Sequence, residues 1–297
     1  MQQRGWSMAN LLLIGATSSL GARLCADLAT RHSVRTVGRR GNVNVLVKDY
    51  RTVPASAFDQ IDVLVNCVGT HAGSVDTLHQ VNVEVPRELA RQARAAGVGQ
   101  IVHFSSLKVY GYEERIDETT KPRPNTEYGH SKLRGENALV EEAGPEITVS
   151  IVRPPAIYGG GSGSNIARLV RFMARRGFFV APYGDVRRSF ANIENMAPVV
   201  EQLIAARSPG VTLVADRGEM TLAGLARLVQ KIARRRIRVY CVPRQFLLPL
   251  RILSRSLYNS LFESQIVTPT FQNVGKSLED GLLEFVRSLL QEQELKF

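Results

Sequence analysis

The chain is poor in cysteine. Its 297 residues include three, Cys25, Cys67 and Cys241, far apart and odd in number. That excludes a disulfide scaffold, and none of the three has a metal-site spacing. Reduced thiols are expected, and with them a cytoplasmic setting. Long apolar runs are absent as well. None approaches the roughly 20 residues that cross a bilayer. The first eight residues, Met1-Gln-Gln-Arg-Gly-Trp-Ser-Met8, lack the apolar centre of a secretory signal. No internal repeat or low-complexity tract stands out. Acidic residues are outnumbered, 27 against 38 Lys and Arg, for a net charge of +11. Such a balance suits nucleic acid, an anionic membrane surface or phosphate-bearing small molecules. The basic residues are dispersed over helix faces. Their densest cluster, Arg234-Arg-Arg236 with Arg238, has no interleaved aromatic platform, so no nucleic-acid partner is expected.

What is present reads as alternating strands and helices. Asn10-Leu-Leu-Leu-Ile14 is a short apolar run of the kind found in a strand buried on both faces. It ends in Gly15-Ala-Thr17-Ser18-Ser-Leu20-Gly21, which opens a helical pattern through Leu24 and Leu28. Strand, glycine turn and helix are the context of a dinucleotide-binding fingerprint. Gly15 permits the tight turn, Gly21 permits close packing, and the helix start offers N–H groups to a pyrophosphate. The middle glycine of the usual pattern is Ser18, whose hydroxyl could donate to that phosphate instead. Val34–Val37 reads as the second strand and closes on Gly38-Arg39-Arg40. NAD-selective sites usually carry an acidic residue there, whereas arginine suits the 2′-phosphate of NADP(H). NADP(H) is therefore favoured, with NAD(H) the alternative and a pair of solvent-facing arginines the plain reading. Asp49, after a third strand over Val43–Val47, could accept from an adenine amino group or simply stabilise a turn. The fourth strand, Asp62–Val65, leads into Val68-Gly69, small enough to let a cofactor pass close by.

Chemistry concentrates in Ser105-Ser106, after the strand Gln100–Phe104, and in Tyr128-Gly-His-Ser-Lys132. Residues four apart on a helix share a face. Tyr128 and Lys132 are thus neighbours, and the ammonium is expected to lower the phenol pKa from about 10. The phenol would then shuttle a proton near neutral pH. Ser106 could hydrogen-bond the same substrate oxygen. The plain reading is an ordinary Tyr and Lys on a surface helix. Further on, Thr148–Val152 is another buried strand, and the glycine-rich loop Gly159–Asn165 is a flap or a linker. Phe246 to Phe262 is basic and amphipathic. Such a stripe is usually core, and contact with a membrane surface is the alternative.

Four motifs, in order, carry a resemblance over nearly the whole length. They are Gly15-x-x-Ser18-x-x-Gly21, Phe104-Ser-Ser-x-x-Val-Tyr-Gly111, Tyr128-Gly-x-Ser-Lys132 and Arg153-Pro-x-x-Ile-Tyr-Gly159. Arg188-Ser-Phe190 followed by Ile193-Glu-Asn195 is similar to a further segment, R-x-F-(x)2-V-x-D. On these the chain resembles the extended short-chain dehydrogenase/reductase family, in its nucleotide-sugar epimerase/dehydratase branch. The resemblance implies an α/β fold: a doubly wound parallel Rossmann sheet over 1–160, with core strands returning later, and a smaller substrate lobe over 161–297. It implies catalysis by Ser106, Tyr128 and Lys132. It implies a cofactor held by Gly15, Thr17, Ser18, Leu20, Gly21, Arg39, Arg40, Asp49, Val68, Gly69, Tyr128 and Lys132. It implies a nucleotide-diphosphate sugar held by Ser106, Asn165, Tyr183 and Arg188. No metal is implied, and pairing into a homodimer is common in the family. Leu107 and Lys108 stand where 4,6-dehydratases carry Asp-Glu, so dehydration is not expected. Ala156 stands where UDP-galactose epimerases commonly carry Asn. The expected activity is 4-keto-sugar reduction or 4-epimerisation in polysaccharide precursor synthesis. The alternatives are a non-catalytic NADP(H)-binding regulator and a reductase of a non-sugar alcohol or ketone.

Overall fold

The computed structural model describes residues 8–161, 164–184, 186–253, 258, 262–271 and 275–294. The chain forms two compact units that interleave along the sequence. The first comprises 1–111, 121–154 and 196–213, and the second 112–120, 155–195 and 214–297.

The first unit is built on a seven-stranded sheet. Its strands are β1 (Asn10–Ile14), β2 (Ser33–Gly38), β3 (Val45–Leu46), β4 (Val63–Asn66), β5 (Gln100–Phe104), β7 (Thr148–Arg153) and β12 (Gly210–Leu213). The spatial order is β12-β7-β5-β4-β1-β2-β3, and every pairing is parallel. The order reverses direction between β1 and β4, the crevice where ligands bind in doubly wound sheets. Leu11 to Ile14 are wholly buried, as the unbroken apolar run requires. Helices α1 (Ser19–Leu28), α2 (Val75–His79), α3 (Val85–Ala95), α4 (Glu127–Ala143) and α6 (Met196–Ala206) complete the unit.

One amphipathic helix over Leu78–Ala96 is broken by a π-turn at Gln80–Glu84. Val85 donates there to the Gln80 carbonyl, five residues back. Pro86 has no N–H for the Asn82 carbonyl, so the regular ladder cannot pass through this point. Helix α4 packs into the break. A Cβ on Gly135 would stand 1.9 Å from the Asn82 oxygen, and one on Gly129 would stand 2.4 Å from the Lys108 oxygen. Glycine at both places brings the helix to backbone distance.

The second unit holds β6 (Arg115–Ile116), β8 (Ala156–Tyr158), β9 (Phe178–Pro182), β10 (Arg187–Arg188), β11 (Phe190–Asn192), β13 (Met220–Thr221), β14 (Arg238–Val242) and β15 (Ile266–Val267). Its helices are α5 (Asn165–Arg176), α7 (Leu222–Ala233), α8 (Leu248–Leu253) and the C-terminal helix Leu278–Glu294. Buried Asp216 ties several of these together. It accepts from the Tyr158 hydroxyl at 2.7 Å, the Asn192 amide at 2.9 Å and the Asn195 side chain at 2.7 Å. Gly281 of the C-terminal helix lets the Tyr158 hydroxyl approach, since a Cβ there would be 2.2 Å away. The stripe over 246–262 divides. Leu247, Tyr258 and Phe262 join the core, whereas Phe246, Leu248 and Ile252 face solvent. Core is therefore the wrong reading for those three.

Gly135→Ala is expected to cost several kcal/mol, the usual scale for forcing an atom into a closed contact. Gly97→Ala is the control. It has open space and a φ of +73°, so about 1 kcal/mol of backbone strain is expected. Urea denaturation of both variants measures the difference.

Candidate active site

The fingerprint turn is closed upon itself. Gly15 has φ +83°, and a Cβ on Gly21 would lie 2.2 Å from the Gly15 carbonyl oxygen. Ser18 is the N-cap of α1. Its hydroxyl accepts from the Gly21 amide at 3.0 Å and donates to the Gly15 carbonyl at 2.9 Å. The hydroxyl thus ties the turn to the first turn of α1. Leu20 is half-buried, and the Thr17 methyl lies over Gly38. Val68 packs against Gly15, so the loops after β1 and β4 meet.

Arg39 and Arg40 are exposed just beyond Gly38. The Arg39 guanidinium sits over the Tyr50 ring, 5.5 Å from its centroid. Asp49 caps the next turn by accepting from the Arg51 amide at 2.9 Å, and it pairs with the Arg51 side chain at 2.5 Å. Those hydrogen bonds hold its carboxyl below the usual range. Of the two readings of Asp49, the turn-stabilising one is what the contacts display.

Ser106, Tyr128 and Lys132 come together in the first unit. Ser106 caps the turn Leu107–Tyr110 and hydrogen-bonds the Tyr128 phenol. Thr126 caps α4 by accepting from the Gly129 amide, which starts the helix with Tyr128 in its first turn. Lys132 lies one turn on, buried, donating to the Phe104 carbonyl at 2.8 Å. A Cβ on Gly69 would be 3.5 Å from its Nζ, so the ammonium borders the loop after β4.

The electrostatics differ from the sequence expectation. Burial pushes the Tyr128 phenol up, and the opposing influence is the Ser106 hydrogen bond, not the lysine. Burial lowers Lys132 itself to about 8, with Glu136 pulling the other way. Taking the ammonium out of water costs more than its neighbours return.

Sequence reasoning missed the support around this trio. Asn82 is a brace. Its amide donates to the Thr70 carbonyl at 2.8 Å and to Ser131 at 2.9 Å, while its oxygen accepts from the Thr70 amide at 2.9 Å. Ser131 in turn donates to the Tyr128 carbonyl at 2.9 Å. Glu136, one turn beyond Lys132, forms a buried pair with Arg153 at 2.5 Å and accepts from Ser105. Arg153 also reaches the Tyr110 hydroxyl at 2.7 Å. A glutamate four residues after the lysine was the available signal. Asn66 donates to His103 Nδ1 at 3.1 Å, and burial keeps that imidazole neutral.

The remaining expected residues belong to the second unit. Arg188 is buried, donates to the Glu263 carbonyl at 2.8 Å and is lowered to about 10 by burial. Tyr183 is exposed. The Asn165 side chain lies outside the described residues. Among the described residues no His, Cys, Asp or Glu cluster could hold a metal.

The NAD dependent epimerase/dehydratase family matches residues 11–215. The chain belongs to that family. It is a family of NAD(P)-dependent epimerases and reductases of the extended short-chain type. One relative is the N-acetyl-alpha-D-glucosaminyl-diphospho-ditrans,octacis-undecaprenol 4-epimerase of Escherichia coli O157:H7. It is 26% identical over 205 residues, 65% of this chain and 62% of its own. The match thus spans less than two thirds of that relative. The UDP-glucose 4-epimerase of Vibrio cholerae is 26% identical over 73% of this chain and 74% of its own. Among solved structures, the UDP-glucuronic acid 4-epimerase of Bacillus cereus with NAD superposes at a TM-score of 0.74. Its identity is 17%, covering 94% of this chain and 99% of the other. That likeness shows the fold. The glycine cradle at the β1–β4 crevice fits the family's dinucleotide. Gly15 and Gly21 let the turn close tightly at the start of α1 and against the loop after β4, whose Gly69 borders Lys132.

Lys132→Met is expected to stabilise the chain. A lysine depressed in the fold penalises it fully below pH about 8, where the native state holds a buried ammonium. Between about 8 and 10.5 the native state releases the proton while the unfolded chain keeps it, and the penalty fades. The gain in melting temperature should therefore be largest below pH 8 and shrink above it. Thermal melts across that range check the sign.

Proposed function

We propose that the chain carries out hydride chemistry at C4 of a diphosphate-linked sugar, as a 4-keto-sugar reductase or a 4-epimerase. The observation that supports this most is the cluster of Ser106, Tyr128 and Lys132 beside Gly69. A bound nicotinamide would supply or accept the hydride at the sugar carbon. Tyr128 gives or takes the proton on the sugar oxygen. Ser106, already bonded to the phenol, holds that oxygen in line. Lys132, one turn further along α4 and bordering Gly69, would hold the cofactor's nicotinamide ribose. Asn82 and Ser131 fix the first turn of α4, and so the direction of Tyr128. Arg188 pairs with the diphosphate, for which a guanidinium is well matched.

Arg39 and Arg40 favour NADP(H) and hence an external hydride donor, the reductase branch. The NAD in the Bacillus cereus epimerase favours the other branch. In an epimerase the hydride returns to the same sugar and cofactor is not consumed. Leu107 and Lys108, where 4,6-dehydratases carry Asp-Glu, speak against elimination of water.

Tyr128→Phe is expected to lower kcat by about 10²–10⁴-fold, the range for losing a general acid–base. Retention of the nicotinamide nucleotide by the variant would separate lost chemistry from lost binding. Assays with NADPH and 4-keto nucleotide sugars, and epimer analysis of UDP-sugars, distinguish the branches. Full activity of Tyr128→Phe in both would contradict the proposal. Replacing Arg39 and Arg40 with Ala should raise KM for NADPH by roughly tenfold or more while leaving NADH little changed.

A further inference from the structure

The positive charge of this chain is segregated. The segments 154–184 and 220–262 contain thirteen Lys and Arg and no Asp or Glu. With a total of +11, the rest of the chain is close to neutral. Apart from Pro154, both segments belong to the second unit. They join through parallel β9 and β14, with Arg238 opposite Phe178 in register. Arg235 fastens its turn to the end of α5 by donating to the Ala174 and Arg175 carbonyls at 3.0 and 2.7 Å.

Large apolar side chains stand exposed on the same two segments. Phe172, Phe178 and Tyr240 form an aromatic run, with ring centroids 5.7 and 6.3 Å apart. They are 42%, 38% and 48% exposed. Exposed Arg175, Arg176, Arg236 and Arg238 adjoin them in the chain and across the sheet. β14 then leads through Pro243 into Phe246, Leu248 and Ile252, exposed at 67%, 44% and 86%. A groove of about 340 Å³ between α7 and the C-terminal helix repeats the theme, with Lys231, Arg234 and Arg287 beside Ile232, Leu283 and Leu290.

Arginines interleaved with aromatic and aliphatic groups, on segments that carry no carboxylate of their own and meet one at Arg244, which pairs with Glu263 at 3.7 Å, match one kind of partner. We infer that this face docks on an anionic lipid bilayer. The rings and aliphatic groups enter the headgroup region, and the guanidiniums pair with lipid phosphates. No helix among the described residues is long and apolar enough to cross a membrane, so the contact is peripheral. The inference does not rest on the catalytic reading.

The test is co-sedimentation of the full chain with vesicles. One set is phosphatidylcholine alone, and in the other one lipid in three is phosphatidylglycerol. Binding is expected to the anionic set only, and to weaken as salt is raised. Arg234→Gln, Arg236→Gln and Arg238→Gln together should lower it by about fivefold per arginine. Tyr240→Ser with Phe246→Ser should lower it on the order of tenfold. Melting temperature and retained nicotinamide nucleotide confirm that each variant is folded. If a variant does not fold, the lipid and salt dependence of the unaltered chain decides. No binding to anionic vesicles at low salt overturns the inference. So does equal binding to neutral vesicles. Capture of an RNA or DNA duplex, or a dimer lost in Tyr240→Ser, overturns it where vesicle binding is absent.

Discussion

Helix α4 can stand where it does because Gly129 and Gly135 carry no side chain. Each meets a backbone carbonyl at a distance that no Cβ could share. That contact sets Tyr128 beside Ser106 and sinks Lys132 to the Phe104 carbonyl at the end of β5. It also seats the helix in the π-turn made by Pro86, from which Asn82 braces both the loop after β4 and the first turn of α4. A buried lysine is a poor choice for stability. Its depressed pKa marks a site where placement outweighs solvation. Glu136, locked to Arg153, keeps a carboxylate in reach of that ammonium. Breaking such a buried pair by removing one partner typically costs about 3–5 kcal/mol.

Much of the first unit was legible in the sequence, because its signals are local. An unbroken apolar run ending in glycine can hardly be other than a buried strand entering a tight turn. The i,i+4 spacing of Tyr128 and Lys132 was enough to place them on one face. What could not be read was how burial divides between them. The spacing suggested an ammonium acting on a phenol, whereas desolvation acts on each separately and the nearest influence on the phenol is Ser106. Ser18 is a similar case. Its hydroxyl has one proton, and the carbonyl three residues back takes it. The roles of Gly129, Gly135 and Asn82 depend on a helix packing against a π-turn, and no spacing rule encodes that.

The second unit was harder to read. Its strands are short and their partners distant, as in β8 with β11 and β9 with β14. Its organising group is a buried carboxylate. The family segment has Asp where this chain has Asn195, and here the carboxylate that the Asn195 amide meets is Asp216. The amphipathic stripe over 246–262 looked uniform in sequence. Among its described residues Leu247, Tyr258 and Phe262 pack inward, whereas Phe246, Leu248 and Ile252 face water.

Central to the proposed function is a nicotinamide dinucleotide held in the β1–β4 crevice, with Lys132 at its border, for the chemistry of Tyr128. Its most direct test is to release bound nucleotide from the purified chain with acid and identify it by mass, then to titrate chain so stripped and refolded with NADP(H) and NAD(H). A nicotinamide dinucleotide, retained or rebound at about one per chain, is the predicted result. Absence of any such nucleotide, with no binding of either cofactor on addition, would contradict the account.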